Sequence, residues 1–267
     1  KEKQMRALLI FFILGILSCK NQEKGVVETA QKKTVPITTN SAEAREHFIK
    51  ARYIVQNGIY SNEVYEHFDK ALKLDSTFVR MYNYLSVYRA NDSIKLASHN
   101  LAKKYKYLAS KEEQLLVDAA EYRFNNPLDS LEQILHEVTE MCPDDKYLFH
   151  TINYLLIDKN PELAAKAGER AIEIDSLYAG GYNNLGYAYM NSRKYDEAER
   201  VFNKYIEVLP NIGNPYDSKA DLMIEIGRYE EALELKEKAY GIDTTLYWIP
   251  EELPGLKAIV DSLKMNN

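Results

Sequence analysis

An all-α fold is predicted, a right-handed superhelical solenoid of about six helix-turn-helix repeats with a C-terminal capping helix. Three observations predict it. Laid over itself at an offset of 34, the stretch 179–212 matches 213–246 in chemistry: Tyr182 falls on Tyr216, Gly186 on Ala220, Met190 on Ile224, Tyr195 on Tyr229 and Ala198 on Ala232. Self-similarity at such a period marks stacked helical hairpins, each of which buries its apolar face on its neighbours. Composition agrees, because 11 Gly and 8 Pro are few for 267 residues while Ala, Leu, Glu, Lys and Tyr are frequent. Finally, the large and small residues recur at spacings that share one helix face.

The N-terminus stands apart from this pattern. Lys1, Lys3 and Arg6 precede an apolar run at 7–17, too short for a membrane-spanning helix, which needs roughly 20 apolar residues. With its basic flank, 1–18 reads as a signal peptide. The run ends Ile16-Leu17-Ser18-Cys19. This resembles the lipobox of bacterial lipoproteins, and the resemblance implies cleavage before Cys19 and a covalent lipid on it, with no other cofactor. Lys20 stands where the inner-membrane retention pattern carries Asp, which points to the outer membrane of a bacterial cell envelope. Residues 19–40 are polar without an apolar period and read as a flexible tether behind the lipidated Cys. With Cys19 acylated, Cys142 is the remaining thiol, so no intrachain disulfide forms. Beside Pro143 it reads as a small semi-buried filler.

The solenoid is expected over 41–264. Its repeats fall at about 45–78, 79–111, 112–144, 145–178, 179–212 and 213–246, with the cap at 247–264. In repeat one, Phe48, Ala51, Val55, Val64, Phe68 and Ala71 carry the apolar face, but Arg52 occupies position 8, where a small residue belongs. That predicts a splayed hairpin or a shifted register. Asn91-Asp92-Ser93 supplies turn and cap chemistry in repeat two, and Ser110 with Glu113 has the form of a capping box in repeat three. Asn125-Asn126-Pro127 and Asn160-Pro161 are the turns of repeats three and four. In repeats five and six, Tyr205 is large for position 27, and Lys219 and Lys236 sit at apolar positions, from which their stems are expected to snorkel. Trp248, Leu253, Leu256, Ile259, Val260 and Leu263 form the apolar face of the cap.

These residues, and above all Asn183-Asn184-Leu185-Gly186-Tyr187-Ala188-Tyr189, resemble the tetratricopeptide repeat (TPR) family, and within it the TPR lipoproteins of bacterial envelopes. The resemblance covers about 45–246 and implies protein or peptide binding, in a concave groove lined by the first helix of each repeat. It places Arg80, Asn83, Phe149, Asn153, Asn183, Tyr187, Asn191, Asp217, Asp221 and Glu225 toward that groove. Amides, an aromatic and an acidic stripe would suit an extended peptide with basic residues; for Asp217 the favoured reading is helix-start chemistry instead. The Lys-Asn pair with which chaperone-binding members grip a C-terminal carboxylate is absent.

Signs of catalysis are lacking. His47, His67, His99, His136 and His150 are scattered, and no nucleotide loop or nucleophile elbow occurs. Asp217, Asp221 and Glu225 read as a solvated face and not as a metal site. A net charge of −6 with interleaved signs argues against nucleic acid. The expectation is a non-catalytic, membrane-anchored adaptor for another envelope protein or peptide, in an outer-membrane assembly or secretion machine. The alternative is an accessory lipoprotein for glycan or peptide uptake beside a transporter.

Overall fold

Among the described residues, six antiparallel helix pairs and a closing helix follow one another along the chain. The computed structural model describes residues 32–59, 61–88, 91–125 and 128–265. The signal peptide at 1–18, Cys19 and the first part of the tether lie outside them. The pairs are α1 (Ala42–Gln56) with α2 (Glu63–Leu74), α3 (Val79–Tyr88) with α4 (Asp92–Tyr105), and α5 (Lys111–Asn125) with α6 (Leu128–Met141). Then come α7 (Lys146–Leu156) with α8 (Pro161–Ile174), α9 (Ala179–Asn191) with α10 (Tyr195–Val208), α11 (Asn214–Glu225) with α12 (Tyr229–Ile242), and the cap α13 (Ile249–Met265). Among the described residues there is no strand, so the chain is an all-α helical-repeat solenoid. None of these helices is long and apolar enough to cross a membrane.

The helices begin where side chains satisfy the free N–H groups of a first turn. Ser41 Oγ accepts from Ala44 N at 3.1 Å, Asn91 Oδ1 from Ile94 N at 3.1 Å, and Asn160 Oδ1 from Leu163 N at 3.1 Å. The capping box forms in both directions: Glu113 N donates to Ser110 Oγ at 3.3 Å and Ser110 N to Glu113 Oε2 at 3.1 Å. Two devices recur at the joints between repeats. The position-4 tyrosine hooks its hydroxyl onto a carbonyl six residues back: Tyr82 on Ser76, Tyr182 on Ser176, Tyr216 on Pro210. An aspartate closes the preceding turn by accepting the N–H two residues on, as Asp75, Asp175 and Asp243 do for Thr77, Leu177 and Thr245.

Within a hairpin, one small residue lets the two helices approach. A Cβ on Gly186 would stand 2.6 Å from Phe202 Cζ, so the phenyl ring fills the place of the missing side chain. Repeat four inverts the pair: Gly168 is the small partner, and Asn153 turns into the hairpin to donate Nδ2–H to Ala164 O at 2.8 Å. In repeat one, Phe48, Ala51 and Ala71 are fully buried in one cluster with Phe68, as the sequence register places them. Arg52 therefore does not splay the hairpin. Its guanidinium lies 3.6 Å from the centroid of the Tyr147 ring, joining repeat one to repeat four.

Residues 33–40, placed by sequence in a flexible tether, run across the inter-repeat turns. Lys33 N donates to Asp144 Oδ2 at 3.1 Å, Val35 N to Asp145 Oδ2 at 2.9 Å, Thr38 N to Glu113 Oε1 at 3.0 Å and Asn40 N to Asp75 Oδ2 at 3.1 Å. Val35 is buried in the main core cluster. Polarity concealed this strap because the backbone N–H groups, which no composition reports, make its contacts. Burial pushes the Asp75 carboxyl up, but hydrogen bonds from Thr39, Thr77 and Asn40 outweigh it and hold the carboxyl below its ordinary range.

Gly227 closes α11 at φ 77, and Arg193, at the same place 34 residues earlier, adopts φ 57. That conformation costs an L side chain about 1–2 kcal/mol, whereas glycine adopts it freely. Arg193→Gly is therefore expected to raise the unfolding free energy by about 1 kcal/mol, after the added freedom of the unfolded chain is subtracted. Urea titration checks it, and a less stable variant would show that the Arg193 side chain has a role beyond the turn.

Candidate functional site

The curvature of the solenoid brings its first turn against its last repeats. The segment between α1 and α2 crosses the concave side and meets α9, α10 and α11. Gly58, at φ 64, sits so close that a Cβ there would stand 2.8 Å from Asn214 Nδ2 and 2.9 Å from Tyr205 Oη. A Cβ on Gly180 would stand 2.8 Å from Gln56 O. Tyr205, the oversized residue of repeat five, is fully buried, and its hydroxyl accepts from Asn214 Nδ2 at 2.9 Å. Its size is thus what carries repeat five across to the α1–α2 turn.

Behind this turn lies a cavity of about 850 Å³. Phe68 of α2, Tyr84 and Tyr88 of α3, and Tyr154 of α7 supply aromatic lining. Gln56, Asn62, Asn183, Asn184 and Asn214 supply amides, and Tyr65 and Tyr247, which are largely exposed, stand at the mouth. No charged side chain lines it among the described residues. His150, also in the lining, donates Nδ1–H to Gly180 O at 3.1 Å, which leaves Nε2 as an acceptor. Burial holds this imidazole at about 4, against the Gly180 hydrogen bond, which favours the charged form. Tyr84 Oη and Asn184 Nδ2 are buried and have no hydrogen-bond partner among the described residues.

Of the ten groove residues read from sequence, only Asn183 lines this cavity; its Oδ1 accepts from Ser218 Oγ at 2.9 Å. Arg80 and Asn83 are buried and flank a separate cavity of about 20 Å³, enough for one water. Arg80 Nη1 and Asn83 Oδ1 lack partners there. Burial pushes the Arg80 guanidinium down, opposed by Asp145. Asn153 is consumed by its hairpin, as described. Phe149 is half-buried with Arg170 5.9 Å from its centroid. Asn191 is exposed and donates to Ile157 O at 3.1 Å. Cys142 is buried, and burial pushes its thiol up to about 11, which makes it inert.

Two members of the acidic stripe, Asp217 and Asp221, are engaged by a buried lysine. Lys236, almost wholly buried, places Nζ 2.8 Å from Asp217 Oδ1, 2.8 Å from Asp221 Oδ1 and 2.7 Å from Glu252 Oε2. Trp248 Nε1 donates to Asp217 Oδ2 at 3.1 Å, and Tyr187 Oη to Asp221 Oδ2 at 2.7 Å. Asp217 therefore makes no cap hydrogen bond at the start of α11, and Lys236 does not snorkel. Glu225 is exposed and accepts from Tyr195 Oη at 3.3 Å. Burial works against the Lys236 charge, but the three carboxylates outweigh it and raise its pKa. One cation shared among three carboxylates leaves Asp217, the most buried of them, with its carboxyl raised by burial despite Lys236. Lys219, by contrast, reaches Glu231 at 3.1 Å and Glu199 at 3.8 Å near the surface.

The family model of the tetratricopeptide repeat matches residues 179–212. Residues 179–212 form a tetratricopeptide repeat. The chain is similar in fold to yeast Tom70, with a TM-score of 0.51 at 20% identity over 84% of this chain. It spans about half, 47%, of that chain. Weaker similarities reach MamA AMB-1, with a TM-score of 0.46 at 20% identity over 61% of this chain and 98% of that one. YrrB, described as a TPR protein with an unusual peptide-binding site, has a TM-score of 0.45 at 18% identity over 69% and 96%. No curated protein matches the chain.

Two stability predictions follow from this geometry. Lys236→Met leaves the buried Asp217 carboxylate without its cation and is expected to cost about 3 kcal/mol in urea unfolding; a loss below about 1 kcal/mol, typical of exposed pairs, would contradict the buried Lys236–Asp217 pair. His150 is held neutral in the fold but binds a proton below about 6.5 when unfolded. Its contribution is complete above that value and is lost as the pH falls toward about 4, a total of roughly 3 kcal/mol. Unfolding curves of the native chain and His150→Gln are expected to converge across that window; parallel curves would refute the assignment.

Proposed function

We propose that this protein is a non-catalytic adaptor that binds a segment of another protein in the concave cavity of its solenoid. The observation that carries the reading is the convergence of amides, tyrosines and a neutral imidazole from distant repeats on one cavity. A packed core has no need of such a space, and buried polar atoms without partners are costly unless a ligand or water satisfies them. The lipobox resemblance at Cys19 supports a lipid anchor, and Lys20 supports the outer membrane of a bacterial envelope as its site. The partner is then an envelope protein, and a subunit role in an outer-membrane assembly or secretion machine fits an anchored adaptor. The cavity volume also lies in the range of small-ligand sites, which favours the uptake accessory as a second reading.

Photo-crosslinking in intact cells tests this, with the crosslinker at Tyr247 on the cavity mouth and, in a second strain, at Tyr107, which is exposed outside it. A defined envelope protein captured from position 247 and not from 107 is expected. Capture from 107 alone would remove the concave reading. In the same strains, Cys19→Ala is expected to release the protein from membranes, and retention would remove the anchor.

A further inference from the structure

We infer that the cavity selects an uncharged, extended peptide segment bearing an aromatic or long apolar side chain; this rests on the protein-binding reading above and names the class of segment bound. Among the described residues the lining contains no Asp, Glu, Lys or Arg. An ionised ligand group entering it would lose hydration and meet no counter-charge, a cost of several kcal/mol for an ion. Of the carboxylates that by sequence would draw a basic peptide, Asp217 and Asp221 are turned onto Lys236 and Glu225 is outside the lining. Electrostatic attraction is therefore absent from the site itself.

What remains is apolar area and neutral hydrogen bonding. Phe68, Tyr84, Tyr88 and Tyr154 offer aromatic faces to an apolar side chain, and Tyr65 and Tyr247 stand 46% and 74% exposed at the mouth. Asparagine and glutamine side chains each carry a carbonyl acceptor and an N–H₂ donor, the same pair that a peptide group presents in reverse. Among the described residues Asn184 Nδ2 is a buried atom without a partner, and the His150 Nε2 acceptor belongs to a side chain only 6% exposed. Lining amides such as those of Asn62 and Asn183 offer the donors and acceptors that the peptide groups of a ligand backbone need. The α1–α2 turn, packed at Gly58 against Asn214 and Tyr205, bounds the cavity, so the bound stretch is short.

The test uses the full chain and the fluorescence of Trp248, its single tryptophan, whose ring centroid lies 5.2 Å from that of Tyr247. The probes are three pools of N-acetylated, C-amidated hexapeptides: a neutral pool of Tyr, Leu, Asn, Gln and Ser, a basic pool rich in Lys and Arg, and an acidic pool rich in Asp and Glu. The neutral pool is expected to bind, with an affinity that changes less than about twofold between about 0.05 and 0.5 M NaCl, where exposed charge pairs are screened. Asn184→Ala and Tyr247→Ser are each expected to weaken it by about fivefold or more. Tyr247 is exposed, so its variant keeps the test valid if Asn184→Ala destabilises the fold. Preference for the basic or acidic pool, a steep salt dependence, no binding by the neutral pool, or displacement of the neutral pool by maltohexaose would overturn the inference. If the partner crosslinked in cells is captured equally by both variants, the adaptor function stands and the cavity is not where its segment lies.

Discussion

The contact of Gly186 with the Phe202 ring sets how closely two helices of a repeat approach. Repeat four reaches the same end with the sizes exchanged, Gly168 yielding to Asn153. In both, one residue without a side chain accommodates a large one opposite, because close-packed interiors leave no room for both. Repetition of such hairpins turns a local spacing into long-range curvature. The curvature carries the α1–α2 turn to Asn214 and Tyr205, and without that closure the concave side would be a groove and not a bounded cavity. The tyrosine hooks and aspartate turns at the joints fix the angle between repeats, so the closure depends on them as well.

Charge is distributed according to burial. Lys236 gathers Asp217, Asp221 and Glu252 and thereby ties α11, α12 and the cap α13 into one unit. A buried lysine is tolerated only with such partners, and the arrangement withdraws two acidic groups from the concave side. The cavity next to it is left neutral, and His150 remains uncharged for the same reason, burial without a counter-charge. Recognition in this protein then rests on shape and neutral hydrogen bonds, which salt does not screen.

The strap at 33–40 connects the chain upstream of the solenoid to the turns entering α3, α5 and α7. Its partners are carboxylates that already have a role in those turns: Asp145 caps α7 through Tyr147 N and Leu148 N while also accepting from Val35 N, and Glu113 closes the capping box while accepting from Thr38 N. One carboxylate has room for several such bonds because each oxygen accepts more than one. The strap is thus joined to the repeats through the same residues that start their helices.

The sequence by itself determined the all-α repeat architecture, because helix period, capping residues and the 34-residue match are local and each is written in adjacent residues. Ser41, Asn91, Ser110 with Glu113 and Asn160 cap helices as their chemistry dictates. Periodicity reports which face of a helix a residue occupies; it does not report what the curvature brings opposite that face. For that reason Arg80, Asn83, Asn153 and Asp217, read as groove residues, are buried inside the solenoid and Asp221, half-buried, is held by Lys236 and Tyr187, while Gln56, Asn62, His150, Asn184, Asn214 and Tyr247 line the cavity. The oversized Tyr205 and the lysine at position 236 were the visible irregularities, and each marks a place where the repeat rule yields to a contact with another part of the chain. Only the tertiary structure decided the cavity, since closing it requires residue 58 to meet residue 214, a distance along the chain that no local pattern spans.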